Sequence, residues 1–171
     1  VVTMSNSIVV KSNREHILSR PNMYFGRFDE ISETRTLYDL ENNKITTRKV
    51  KFSPAILKLF DEALTNATDN ISRSKTNPTT RIEISITDKS IQVSNNGESI
   101  PIRQVLNPID GKQWYEPELA FGHTYASSNY DDEKERMLNG MNGIGIKLAN
   151  IFSKKFVVTV INNGKYYQQI F

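Results

Sequence analysis

The stretch Asn139-Gly140-Met141-Asn142-Gly143-Ile144-Gly145-Ile146-Lys147-Leu148 places three glycines directly before a run with helical apolar spacing. Glycine lets the backbone approach a ligand closely. A helix that begins here directs its unpaired N–H groups and positive dipole end toward the loop. The stretch is therefore a candidate phosphate-binding loop, to which Lys147 adds a positive charge. Its spacing matches neither the P-loop nor the dinucleotide fingerprint, so a glycine-rich turn before a packing helix is the alternative.

Composition fits a single globular domain of 171 residues, with 37% hydrophobic and 24% charged residues. No apolar run approaches the ~20 residues that a membrane span requires, and no signal peptide is evident. The absence of cysteine excludes disulfides and thiolate metal sites, and two histidines are too few for a histidine cluster. The net charge of +3 permits contact with nucleic acid, but the basic residues are scattered rather than clustered.

Apolar periodicity and turn residues predict an order of strands, helix, strands, helices and strands. The predicted elements are a helix at 15–18, strands at 36–40 and 45–52, a helix from Ser53 to about Ser72, strands at 81–87 and 90–94, a helix at 116–125, and strands at 156–161 and 165–171. This order predicts an α+β fold, in which helices pack on one face of a mostly antiparallel sheet.

The helix from Ser53 carries a polar stripe, because Glu62, Asn66 and Asn70 recur at helical spacing on one face. A solvated face is the common explanation for such a stripe. However, solvated stripes usually carry Lys and Glu, whereas Asn and Thr disfavour helices. A carboxylate and an amide oxygen one turn apart offer a base for water and a ligand for the magnesium of a nucleotide.

A third polar group, Asn95-Asn96-Gly97, lies at the end of a predicted strand. A tight turn explains the Asn-Gly pair. The functional alternative is that the Asn95 amide hydrogen-bonds to the edge of a base, since it offers one acceptor and two donors.

Five motifs in this order resemble the GHKL-type ATPase domain of type IIA DNA topoisomerases, in the eukaryotic and large-DNA-virus branch. The resemblance spans roughly residues 13 to 160. The motifs are Glu15-His16-Ile17-Leu18-x-Arg20-Pro21-x-x-Tyr24-x-Gly26, Phe60-Asp61-Glu62-Ala63-Leu64-Thr65-Asn66-Ala67-Thr68-Asp69-Asn70, Asn95-Asn96-Gly97-x-x-Ile100-Pro101, Phe121-Gly122-His123-x-x-x-Ser127-Ser128-Asn129-Tyr130-Asp131-Asp132, and Asn142-Gly143-x-Gly145-x-Lys147-Leu148-x-Asn150-Ile151-Phe152-Ser153.

The resemblance implies ATP and Mg²⁺ as cofactors and a role for each matching residue. Glu62 would be the general base that activates water, and Asn66 would ligate Mg²⁺. The implied nucleotide contacts are Asn70 with phosphate or ribose, Asn95 with the adenine amino group, Ser127, Ser128 and Asn129 with ribose and phosphate, and Asn142, Gly143, Gly145 and Lys147 around the triphosphate.

The resemblance also implies an organisation and a biological role. We expect an N-terminal strap segment at 1–26 and a GHKL-type two-layer sandwich at 27–171, incomplete at its C-terminus and without transducer and DNA-cleavage regions. In the family, ATP binding closes a homodimeric clamp so that one DNA duplex passes through another. The location implied is the nucleus for a cellular eukaryotic source, or the viral or host cytoplasm for a virus, with no membrane association. The isolated domain is expected to turn over ATP slowly or not at all.

Several residues depart from the family pattern, including a tyrosine of many members that is replaced near Ile8. Ser99 replaces a glycine, Met141 replaces an arginine and Ile144 replaces an aromatic residue, which affects one turn, one phosphate contact and one packing contact. The alternatives are a catalytically silent nucleotide-binding or dimerisation module, or another GHKL ATPase of the chaperone-like or mismatch-repair-like type.

Overall fold

The structure is a computed structural model that describes residues 9–74, 76–108, 110–124 and 144–171. The helices are α1 (Asn13–Ser19), α2 (Pro54–Asp69), α3 (Glu116–Gly122) and α4 (Gly145–Phe152), and a short 3₁₀ turn (Pro21–Met23) follows α1. The strands are β1 (Ile31–Asp39), β2 (Lys44–Phe52), β3 (Ile82–Ile86), β4 (Ile91–Asn95), β5 (Gln104–Leu106), β6 (Gln113–Tyr115), β7 (Val157–Asn162) and β8 (Lys165–Ile170). The predicted α+β class is confirmed.

Every strand in the described ranges pairs antiparallel with its neighbour in sequence, giving the ladders β1–β2, β3–β4, β5–β6 and β7–β8. The last ladder has the predicted Asn-Gly turn. Asn163 and Gly164 adopt φ values of 48° and 73°, which is the geometry of a two-residue hairpin of the favoured type. The local turn residues therefore fix the register of this hairpin.

Helix α2 begins where its sequence predicts and ends slightly earlier. The Ser53 hydroxyl accepts a hydrogen bond from the Ile56 amide at 3.4 Å, and Pro54 occupies the first turn. The predicted end at Ser72 is too late, because the chain beyond Asp69 tightens into turns. There the Ile71 amide bonds to the Thr68 carbonyl, three residues back.

The core joins the N-terminal segment to α2 and α4. It contains Ile17, Phe25, Ala55 and Leu148, and its partly buried rim consists of Tyr24, Leu59, Ile144, Ile151 and Phe152. A capping box orients α1, since the Ser12 hydroxyl accepts from the Glu15 amide and the Glu15 carboxylate accepts from the Ser12 amide. The first helix is thus packed against the same core as α2, which carries the polar stripe, and α4, which begins at Gly145.

Two differences from the predicted elements have local causes. The strands β5 and β6 were not predicted, because three residues each are too short to show alternation. Helix α3 ends at Gly122 and not at Tyr125, which lies outside the described residues. In the described part of the chain, no helix is long and apolar enough to cross a membrane.

Ile17 provides a test of this core, because its side chain is only 1% exposed. We expect Ile17→Ala to lower the free energy of unfolding by about 2–5 kcal/mol through lost burial and a residual cavity. The neighbouring Leu18 is 40% exposed, so Leu18→Ala should cost less than about 1 kcal/mol. Urea unfolding of both variants measures the difference, and equal losses would contradict the proposed packing of α1.

Candidate functional site

The Glu62 carboxylate lies where α2 approaches α4, and one of its oxygens has an ion-pair partner. It projects from the middle of α2, with 23% of its side chain exposed. Its Oε1 atom lies 2.6 Å from Nζ of Lys58, one helical turn earlier. Its Oε2 atom faces Gly145, the first residue of α4. The predicted base is thus positioned where α2 meets the first residue of α4.

Asn66 lies one turn after Glu62, on the exposed side of α2. Its Nδ2 atom donates to the Glu62 carbonyl at 2.9 Å. This bond engages the amide nitrogen and leaves the Oδ1 oxygen unengaged by the described residues. An amide oxygen is a ligand that a hard cation such as Mg²⁺ accepts.

Asn70 is buried at the end of α2 and has a structural role there. Its Nδ2 atom donates to the Thr79 hydroxyl at 2.9 Å and to the Glu98 carbonyl at 2.8 Å. Both amide hydrogens are therefore engaged within the protein, and only the Oδ1 oxygen is left for a ligand. The predicted contact of Asn70 with phosphate or ribose stays a prediction.

Thr79 connects predicted site residues, and the sequence did not reveal it. Its buried hydroxyl accepts from Asn70 and donates to the Asn96 carbonyl at 2.7 Å. The Asn95 amide nitrogen lies 3.5 Å from the same hydroxyl. Thr79 therefore joins the end of α2 to the turn after β4, and it brings two of the predicted ligand residues together. No sequence motif contains it.

The turn after β4 requires glycine at one position. Gly97 adopts φ of 97°, and a Cβ atom there would lie 2.6 Å from the Thr79 backbone nitrogen. Ser99 replaces a glycine of the family pattern. In the described ranges, the non-glycine residues with positive φ are Asn43 and Asn163, so Ser99 does not adopt the left-handed conformation. The carbonyl of Ser99 accepts from Asn162 at 2.8 Å, so the substitution is accommodated.

Asn95 stands at the exposed end of β4, and its Nδ2 atom donates to the Asn96 carbonyl at 2.9 Å. It also borders a polar cleft of about 270 Å³. The other lining residues of this cleft are Arg81, Glu83, Ser94 and Asn96, and none of them was predicted to bind a ligand. Glu62 is not among the lining residues of this cleft, and the adenine contact of Asn95 stays a prediction.

Lys147 occupies the first turns of α4 and is only 3% exposed. Burial lowers the pKa of its ammonium group to about 8, because a charged group is poorly solvated inside the protein. Its helix is tied to α3, since the Asn150 amide donates to the Phe121 carbonyl at 3.0 Å. Ile144, which replaces an aromatic residue, packs on the core and so retains a packing contact.

Several predicted site residues cannot be placed, because they lie outside the described ranges. These are Ser127, Ser128, Asn129, Asn142 and Gly143, together with the departure at Met141. The structure brings together Glu62 with Gly145, and Asn70 with Asn95.

Comparison with known proteins supports the arrangement of these motifs. DNA topoisomerase 2 of Drosophila melanogaster is 39% identical over 148 residues, which cover 86% of this chain and 10% of that protein. The crystal structure of the ATPase region of Saccharomyces cerevisiae topoisomerase II superposes with a TM-score of 0.87 at 36% identity. The match covers 98% of this chain and 44% of that one.

The chain is homologous to the ATPase region of type II DNA topoisomerases. The ATPase and transducer domains of the Balamuthia mandrillaris enzyme agree, with a TM-score of 0.85 and 37% identity over 95% of this chain and 41% of that one. No protein-family model matches the chain. The topoisomerase homology confirms the resemblance drawn from the five motifs, and it covers only a small part of the length of the full relatives.

The hydrogen bonds of Thr79 can be tested by substitution with valine, which has the same shape but no hydroxyl. Thr79→Val should lower the free energy of unfolding by about 1–3 kcal/mol, because one amide hydrogen of the buried Asn70 loses its acceptor and the Asn96 carbonyl loses one of its two donors. The matched control is Thr80→Val, where water can replace the exposed bond and the cost should stay below about 1 kcal/mol. Chemical denaturation measures both, and equal costs would contradict the role of Thr79.

Proposed function

We propose that this chain binds Mg²⁺-ATP and forms the hydrolytic site of a type II DNA topoisomerase. The observation that carries the proposal is the meeting of Glu62, on the polar helix, with Gly145, at the start of the helix that follows the glycine stretch. A base and a phosphate-binding loop must lie together if water is to attack a terminal phosphate.

Glu62 would accept the proton of the attacking water. Its Oε1 atom is held by Lys58, so the orientation of the carboxylate is set before any nucleotide arrives. A general base must lie within hydrogen-bond reach of the proton that it removes, and a fixed orientation reduces the rearrangement needed to reach it.

The residues present fit a magnesium ion that is bound mainly through the nucleotide. Mg²⁺ keeps several waters and usually takes one or two protein ligands beside the substrate phosphates. Asn66 offers one such oxygen. In the described residues, no group of three or more histidine, cysteine, aspartate or glutamate side chains could form a protein-only metal site. When bound, the ion would neutralise phosphate charge.

The wider role in DNA topology is proposed by analogy with the topoisomerase relatives. The nucleotide-binding domain would occupy 27–171 and the strap segment 1–26. ATP binding would bring two copies into a homodimeric clamp that acts on double-stranded DNA, in the nucleus of a eukaryotic cell or in the compartment of a viral source. The remaining nucleotide contacts would come from Asn70, Asn95 and the glycine stretch.

Calorimetric titration with a non-hydrolysable ATP analogue tests the nucleotide site. We expect binding to require Mg²⁺ and to be lost in Asn66→Ala, while Asn66→Asp retains an oxygen ligand and retains binding. In the intact protein, Glu62→Gln should abolish hydrolysis and leave analogue affinity within about threefold, because only the transition state loses an interaction.

Two outcomes would count against this function. Absence of analogue binding by folded wild-type protein would remove the nucleotide site. Binding without any hydrolysis by the intact wild-type protein would favour a silent nucleotide-binding module instead.

Lys147 predicts a pH dependence of nucleotide affinity. Its pKa of about 8 means that the ammonium is charged at neutral pH and loses its charge as the pH rises. A triphosphate favours the charged form, so affinity should fall above pH 8 by up to about tenfold per pH unit. Lys147→Arg, which stays charged, should show a flat profile over the same range. A flat wild-type profile would contradict a phosphate contact of Lys147.

A further inference from the structure

The backbone of α4 does not require glycine at its first residue. Glycine is needed either where φ is positive or where another group approaches the backbone closely. The glycines with positive φ in the described ranges are Gly26, Gly97, Gly111 and Gly164. Gly145 is not among them, so its conformation is open to any residue. The reason for a glycine at this position must therefore be a close approach.

The group that approaches Gly145 is the Glu62 carboxylate. A Cβ atom placed on Gly145 would overlap Oε2 of Glu62 and lie 2.8 Å from its Cδ. The second carboxylate oxygen, Oε1, is held by Lys58 at 2.6 Å. The side chain is thus held on one side by an ion pair and accommodated on the other by the missing side chain of Gly145.

We propose that Gly145 is a positioning residue for Glu62, and that its lack of a side chain creates the space in which the carboxylate lies against α4. This inference deepens the proposed function and rests on it, since Glu62 matters for catalysis only if the site hydrolyses ATP. It assigns to Gly145 a task different from wrapping the triphosphate, which falls to the other residues of the glycine stretch and to Lys147.

The proposal predicts a specific consequence of adding one methyl group. The atoms that would clash belong to the far end of a flexible side chain, so the fold can accommodate Gly145→Ala by moving the Glu62 carboxylate. Alanine is also the better helix former. Gly145→Ala should therefore leave the protein folded and displace the carboxylate from the position set by Lys58.

Kinetics of the intact protein separate positioning from phosphate binding. We expect Gly145→Ala to lower kcat by about tenfold or more while analogue affinity changes by less than about threefold. A loss of analogue affinity with unchanged kcat would overturn the proposal and assign Gly145 to phosphate binding. An unchanged kcat with unchanged affinity would overturn it as well.

A thermal double-mutant cycle tests the contact without any nucleotide. Gly145→Ala should raise Tm in a Glu62→Ala background, where the space is empty, and should raise it less or lower it in the wild type. Glu62→Gln is the matched control, because it keeps the volume of the side chain and should keep the penalty. Equal changes of Tm in all three backgrounds would overturn the contact. Should the protein bind no nucleotide, the proposed function fails while this cycle still decides the role of Gly145.

Discussion

The close approach of α2 and α4 is the constraint on which the rest of the structure depends. Gly145 permits it, since its missing side chain leaves room for Glu62, and the small Ala55 is completely buried in the core cluster that includes Leu148 of α4. Protein interiors are close-packed, so a larger side chain at either position must displace its neighbours. Ile17 is buried in the core cluster to which both helices contribute, through Ala55 and Leu148.

A second junction, made by hydrogen bonds, connects α2 to the strands. The Thr79 hydroxyl joins Asn70 to the turn after β4, and Gly97 allows the backbone to pass close to Thr79. Steric fit therefore positions the middle of α2 against α4, and a buried polar network holds its C-terminal end. Such networks hold one geometry because each member is costly to leave unpaired. The three polar motifs of the sequence are connected through these two junctions.

The sequence predicted those elements whose signals are local. The start of α2 follows from Ser53 and Pro54, and the last hairpin from Asn163 and Gly164. The motifs also identified the family, which the homology confirmed. The role of Thr79 and the neighbour of Gly145 could not be predicted, because each depends on a contact between residues far apart in the chain. A glycine in the sequence indicates a positive φ or a close approach to the backbone, but the sequence does not identify the approaching group.

Lys58 on α2 and Lys147 on α4 differ in their environments, and this difference is compatible with the proposed nucleotide site. Lys58 is half-exposed in its ion pair with Glu62, and such a pair contributes little to stability but orients the carboxylate. Lys147 is buried, and burial disfavours its charged form. A bound triphosphate would favour that charge again, so proton binding by Lys147 and nucleotide binding would be linked. In the proposed function, Lys58 orients the base and Lys147 meets the phosphate, so a nucleotide would enter without withdrawing the partner of Glu62.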